Sequence, residues 1–227
     1  MIFNQFFDQV SSTYTYLISS GKGREALIID PVIEKINDYI LYLKNLDLKL
    51  VKVIDTHIHA DHISGLKELH KKTSCMTIMG EKSPSEIVGL KVKDNEKIKI
   101  ENIELTSIYT PGHTDCSYSF LMNDRIFTGD TLLINGTGRT DFQNGNAAAQ
   151  YHSLFERILK LPEKTLVYPA HDYNGKKFST IGGQKKTNPR LQVKSIEEYV
   201  NIMNNLKLDR PKMMDIAVPA NIKGILL

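Results

Sequence analysis

The sequence predicts an α/β fold in which mixed β-sheets pack against helices on their outer faces. Two observations predict it. β-prone runs occur singly, in hairpins and between segments of helical spacing, and four of those runs end on a histidine or an aspartate. At 227 residues, with no internal repeat, low-complexity tract or linker, the chain is expected to form one domain over 1–227.

The elements follow in order. Thr13 to Ile18 and Ala26 to Ile29 are β-prone and separated by Ser19, Ser20, Gly21 and Gly23, which predicts a hairpin. Asp30-Pro31 stops the second strand. Ile33, Ile36, Ile40, Leu43 and Leu46 recur every three or four residues, which predicts an amphipathic helix. Leu50 to Ile54 is a short buried strand. A second helix is expected to carry Ile63, Leu66 and Leu69, and Met76 to Met79 forms a strand after it. Further strands are predicted at Ile98 to Ile100, Ile103 to Tyr109, Tyr118 to Met122 and Arg125 to Thr128. A third helix is expected over Ala147 to Leu161, with Ala148, Tyr151, Phe155, Ile158 and Leu159 on its inner face. Thr165 to Tyr168 is a strand, and a last helix carries Ile196, Val200 and Met203.

Composition narrows the function. Hydrophobic residues make up 41% and charged residues 24%, a globular balance. The formal charge of +3 is too small to imply a nucleic-acid groove and leaves room for a small anionic substrate. The two cysteines, Cys75 and Cys116, cannot build a disulfide scaffold, and no signal peptide precedes the first strand. A reducing, cytoplasmic setting is expected. No apolar run approaches the ~20 residues of a membrane span.

The chemistry lies at the strand ends. His57-Ile58-His59-Ala60-Asp61-His62 follows the strand ending at Ile54. His113 ends Thr110-Pro111-Gly112-His113, Asp130 ends Thr128-Gly129-Asp130, and His171 ends Tyr168-Pro169-Ala170-His171. Functional residues of α/β proteins collect where strands end. His57 and His59, two apart on extended backbone, point the same way, and Asp61 and His62 are expected near the start of the next helix. Imidazoles and carboxylates gathered without thiolates call for a divalent cation. Residue types alone are compatible with one iron or with two zinc ions. His70 and His152 have no such context and are expected to be ordinary helix residues.

Thr56-His57-Ile58-His59-Ala60-Asp61-His62, with His113, Asp130 and His171, resembles the metal-site pattern of the metallo-β-lactamase superfamily. That resemblance implies an αββα sandwich of two mixed β-sheets flanked by helices, with the metal site at one edge. Finer motifs are Gly136-Thr137-Gly138-Arg139-Thr140-Asp141-Phe142-Gln143, Tyr168-Pro169-Ala170-His171-Asp172-Tyr173, Thr187-Asn188-Pro189-Arg190-Leu191 and Ala217-Val218-Pro219-Ala220-Asn221. Together they resemble the persulfide dioxygenase (sulfur dioxygenase) family over nearly the whole chain.

The resemblance implies one Fe(II) per chain, held by His57, His113 and Asp130 as a 2-His-1-carboxylate facial triad. His59, Asp61, His62 and His171 then become supporting residues or a vacant second site. The implied substrates are glutathione persulfide and O2, the products sulfite and glutathione. No organic cofactor is implied, and a homodimer is compatible with the pattern. Arg139 and Arg190 are candidate partners for the glutathione carboxylates, because guanidinium binds carboxylate bidentately. Tyr173 is a candidate hydrogen-bond donor. Arg139 has a second reading, as a brace of the glycine-rich loop through Asp141. Gly136 and Gly138 are expected to supply unusual backbone angles. Lys176 and Lys177 are expected on a solvated face, and Cys116 to be inert. The competing enzyme class is a hydroxyacylglutathione hydrolase (glyoxalase II), which would use the same seven ligands for two metals and cleave a thioester.

Overall fold

The computed structural model describes residues 1–224. Twelve strands among them form two six-stranded sheets. The first holds β1 (Ile2–Asp8), β2 (Thr13–Ser19), β3 (Glu25–Ile29), β4 (Lys49–Ile54), β5 (Met76–Gly80) and β6 (Leu90–Val92), in that order. The second runs in the order β12 (Ser179–Thr180), β11 (Leu166–Pro169), β10 (Arg125–Gly129), β9 (Tyr118–Leu121), β8 (Ile103–Tyr109), β7 (Lys97–Ile100). Both sheets are mixed. β3, β4, β5 and β6 pair in parallel, and so do β10 and β11; the other pairings are antiparallel.

Strand periodicity sorts the side chains into layers. In β2, Tyr16 and Ile18 point into the space between the sheets, while Leu17 points outward. The central core joins Tyr16, Leu27, Ile29 and Ile54 of the first sheet to Leu105, Tyr118, Phe120 and Phe127 of the second. Outside the first sheet lie α1 (Ile36–Asn45) with Tyr39 and Leu43, and α2 (Leu66–Thr73) with Leu66 and Leu69. Val218 and Ile222 of α6 (Met214–Lys223) pack on the same layer. Outside the second sheet lie α3 (Ala147–His152), α4 (Ile181–Thr187) and α5 (Ile196–Asn204). There Leu154, Ile158, Ile181 and Tyr199 meet Ile126 and Val167. Strands covered on both faces explain the near-continuous apolar runs in the sequence. The αββα order expected from the resemblance is the order observed.

Several expectations need correction. β1 was not expected: its Ile-Phe-Asn-Gln-Phe-Phe pattern repeats in pairs and lacks alternation. Ile63 precedes α2, so Asp61 and His62 sit in the turn before that helix, which starts at Leu66. The segment from Ala147 is helical, but its α-turns give way to a π-turn over Ser153–Arg157 and a 3-10 turn over Ile158–Lys160. The expected inner face is largely kept: Ile158 and Leu159 are buried, and Tyr151 and Phe155 are half-buried against the same core, while Ala147, Gln150, Ser153 and Leu154 are buried in addition. α5 is followed by α6, whose interior Pro219 hides it from a periodicity reading.

Candidate metal centre

β4 ends at Ile54 three residues before His57, β8 at Tyr109 four before His113, β10 at Gly129 just before Asp130, and β11 at Pro169 two before His171. Strands β10 and β11 are parallel, and two antiparallel steps through β9 give β8 the same direction. All three therefore deliver their residues to one edge of the second sheet, facing β4 of the first.

There, one donor atom from each of His57, His113 and Asp130 lies within 4.8 Å of the others. The outer atom of each is occupied. Thr56 Oγ1 donates its single proton to Asp30 Oδ2 at 3.0 Å, so it must accept from His57 Nδ1 at 2.9 Å. His113 Nδ1 donates to the carbonyl of Arg139 at 2.8 Å, since a carbonyl only accepts. Asp130 Oδ1 faces His171 Nδ1 at 2.7 Å. Both histidines thus present a bare Nε2, and Asp130 presents Oδ2, 3.6 Å from His113 Nε2. Hydrogen bonding of the far ring nitrogen is how proteins orient metal-binding histidines. Two imidazole nitrogens and one carboxylate oxygen, with no thiolate, fit an oxygen-activating ferrous site with open positions.

Electrostatics agrees with ligation. Burial, together with neighbouring His59 and His113, drives His57 well below the usual imidazole range, leaving it neutral. Burial alone would raise Asp130, but His171, His113 and His57 hold it below the usual carboxylate range.

The remaining four residues of the pattern form a second cluster. Donor atoms of His59, Asp61, His62 and His171 lie within 4.8 Å of one another. His59 Nε2 is turned to Asp30 Oδ1 at 3.2 Å. Burial opposes its charge, yet the hydrogen bond and charge of Asp30, with Asp55 and Asp61, push it up to about 9. His171 sits between Asp130 and Asp61, its Nε2 2.8 Å from Asp61 Oδ2. Burial opposes its charge too, but the two carboxylates hold it well above the usual range.

Gly136 and Gly138 do not use left-handed angles, contrary to expectation. Gly138 is needed for close approach: a Cβ there would lie 2.2 Å from the Asp130 carbonyl and 2.9 Å from the His113 ring. Gly129 does need its positive φ of +52°, and a Cβ on it would press on Thr56 Oγ1 at 2.7 Å.

The candidate substrate residues diverge. Arg139 turns away to Asp141, bonding both carboxylate oxygens at 2.7 and 2.8 Å, and donates to the Asp209 carbonyl at 2.6 Å. Its geometry is that of the brace. Arg190 is half-buried and donates to the carbonyl and hydroxyl of Thr137, with no ion pair among the described residues. Burial lowers its pKa. Tyr173 is exposed and lies parallel to the His171 ring, 6.3 Å between centroids. Lys176 and Lys177 are exposed, Cys75 and Cys116 are buried and unpaired, and His152 pairs with Glu156 on the surface.

Sequence reasoning missed the residues that orient the candidate ligands. Asp30 receives Thr56 N at 2.7 Å as well as its hydroxyl. Asn221 of α6, buried, donates to the carbonyls of His59 and His62 at 2.9 and 3.0 Å and accepts from Ser64 N at 2.8 Å. Gln143 donates to the Ile58 carbonyl at 2.8 Å. Asp30 and Asn221 were visible only as a strand stop and as the end of an unexplained motif.

A sandwich of two mixed sheets with a histidine–aspartate centre at one edge defines a metal-binding protein of the metallo-β-lactamase type. Comparison agrees: the Metallo-beta-lactamase superfamily model matches residues 8–96 and 87–171. The persulfide dioxygenase ETHE1, mitochondrial, of Mus musculus is 42% identical over 226 residues, covering 98% of this chain and 88% of that protein. The crystal structure of ETHE1 from Myxococcus xanthus matches with a TM-score of 0.95 and 46% identity, over 97% of this chain and 98% of that one. A hydroxyacylglutathione hydrolase of Pelagibacter ubique is 33% identical over 196 residues, covering 83% of this chain and 80% of that protein. The chain belongs to the persulfide dioxygenase family of the metallo-β-lactamase superfamily.

Proposed function

We propose that this protein is a mononuclear non-haem iron dioxygenase that converts glutathione persulfide, O2 and water into sulfite and glutathione. The observation that carries the iron assignment is the pairing of His57, His113 and Asp130, each held by its outer atom so that one inner donor is free. The substrate assignment is supported by the 42% identity to a protein named persulfide dioxygenase.

Bound at these three residues, ferrous iron supplies the electron-transfer chemistry that makes triplet oxygen reactive toward closed-shell sulfur. The chain's own contribution is orientation and charge. Thr56 and the Arg139 carbonyl fix the two imidazole tautomers. Arg190, a partly buried cation without an acidic partner among the described residues, receives a glutathione carboxylate, which relieves the cost of burying it alone. Tyr173, stacked along His171 at the open edge, offers its hydroxyl to the peptide portion of the substrate. Arg139 braces the glycine-rich loop through Asp141 and so holds the carbonyl that His113 meets. The unpaired Cys75 and Cys116 support a reducing compartment, read as cytoplasmic, and no helix among the described residues is long and apolar enough to cross a membrane. The core shared between the two sheets supports a single domain over 1–227.

The test is oxygen uptake and sulfite release by anaerobically iron-loaded protein given glutathione persulfide. A hydroxyacylglutathione hydrolase would instead cleave a glutathione thioester without oxygen, with two metals per chain. Thioester cleavage in place of oxygen uptake would sink the dioxygenase reading.

A further inference from the structure

Arg190 has one edge engaged and the other open. Two other arginines show what such an edge does. Arg125 meets Asp124 through Nε and Nη2 at 2.8 and 2.7 Å, and Arg139 meets Asp141 through the same pair at 2.7 and 2.8 Å. Arg190 instead gives Nη1 to the carbonyl and hydroxyl of Thr137, and its Nε and Nη2 meet no protein acceptor among the described residues. A carboxylate fits that edge with two parallel bonds.

Asn188 sets where the edge stands. It follows α4 and is fully buried. A backbone N–H only donates and a carbonyl only accepts, so the amide has a single orientation. Its Oδ1 accepts from Arg190 N at 3.1 Å, capping the 3-10 turn Pro189–Leu191. Its Nδ2 donates to the Gly136 carbonyl and to Gln184 Oε1, both at 2.9 Å. One side chain thus bonds the backbone of Arg190 and the start of the glycine-rich loop.

The loop is held from behind as well. Gln150 and Tyr199 are fully buried. Gln150 Nε2 donates to the Gly138 carbonyl at 3.1 Å, and its Oε1 accepts from the Tyr199 hydroxyl at 2.8 Å. Tyr199 has then used its proton, so the 3.2 Å contact with Thr137 Oγ1 is made with the threonine proton. A lone pair of Thr137 is left for Nη1 of Arg190 at 3.1 Å. Gly138 N bonds the Asp130 carbonyl at 2.7 Å, so the loop that anchors Arg190 lies on the metal edge.

We infer that Asn188 is a positioning residue for the substrate. Without touching the substrate, it ties Arg190 to the glycine-rich loop and so places the open guanidinium edge where a glutathione carboxylate docks. This rests on the reading of Arg190 given above.

The experiment measures binding of glutathione itself by titration calorimetry on iron-loaded protein, so its readout does not depend on turnover. Wild type, Asn188→Ser, Arg190→Gln and the double variant are compared, with iron content and a thermal melt for each. Serine keeps an oxygen to cap the turn but loses the donor to Gly136. Asn188→Ser should weaken glutathione binding roughly tenfold and Arg190→Gln roughly 10- to 100-fold, the scale of charge-assisted bonds. In the double variant the Asn188 change should cost no further affinity, although it still lowers the melting temperature. Additive losses of affinity, or wild-type affinity in a folded Asn188→Ser, overturn the positioning role and leave Arg190 as a contact. Wild-type affinity in Arg190→Gln removes that contact and the inference with it. No glutathione binding by wild type overturns the glutathione reading and the inference together. Should the serine variant not fold, Asn188→Thr is judged by the same comparison.

Discussion

His113 Nδ1 donates to the backbone carbonyl of Arg139 across 2.8 Å, tying a proposed metal ligand to a loop that an ion pair holds in place. The Arg139 guanidinium grips Asp141 with two bonds, reaches the carbonyls of Leu208 and Asp209, and lies over the Phe142 ring at 4.6 Å. What Arg139 contributes to the metal edge is thus the position of its carbonyl. Its charge is used on the loop itself.

Arg139→Lys should therefore impair the enzyme although the charge is kept. Lysine cannot span both Asp141 oxygens and two carbonyls at once. The carbonyl drifts, His113 loses its fixed tautomer, and iron affinity falls by roughly tenfold, the low end for disturbing a ligand's hydrogen-bond partner. Turnover should fall with iron content, while KM for the persulfide stays near wild type. Normal iron content with a raised KM would instead make Arg139 a substrate contact.

Thr56 is the corresponding partner of His57. Thr56→Val keeps the shape but removes the acceptor of the His57 proton and the donor to Asp30. Iron affinity should drop on the order of 10- to 100-fold, as for other orienting partners. The stranded buried groups should also cost about 1–3 kcal/mol of stability. Thr56→Ser should restore both properties. Chelator competition and a thermal melt read them separately.

The seven-residue pattern was legible in the sequence because its members follow strands with strong local signatures, such as Leu50 to Ile54 before the run from His57 to His62. The groups that orient the pattern were not. Asp30 lies 27 positions before His57, and Asn221 lies more than 150 positions from the turn it clamps. Their roles arise from tertiary approach, which leaves no periodic trace. Local chemistry also set the limits on the fold. A π-turn after His152 interrupts a helix that spacing alone extrapolates straight through, and Pro219 disguises α6. The glycine-rich loop was located correctly but for another physical reason: Gly138 serves contact with Asp130 and His113.

Asn221 gives α6 a measurable duty at the site. Its amide makes three hydrogen bonds to the backbone of the turn carrying His59, Asp61 and His62. Asn221→Asp cannot donate to two carbonyls and places a carboxylate against them. It should lower stability by roughly 2–4 kcal/mol, the scale of losing buried bonds and leaving their partners unpaired. Asn221→Ala should be milder. An unchanged melting temperature in both variants would show that α6 does not hold the turn.

The two ligand sets should separate under substitution. Asp130→Ala removes a triad oxygen and leaves His171 facing only Asp61, so iron should be lost and persulfide-dependent oxygen uptake abolished. His57→Ala should behave alike, since it removes one of the two imidazole nitrogens of the triad. His171→Ala leaves both triad histidines with their tautomers fixed by Thr56 and Arg139. It frees Asp130 Oδ1 and deprives two carboxylates of the cation between them, so turnover should fall while most of the iron remains. Iron content measured on folded protein decides the matter. Equal loss in all three variants would place His171 among the ligands and refute the single triad.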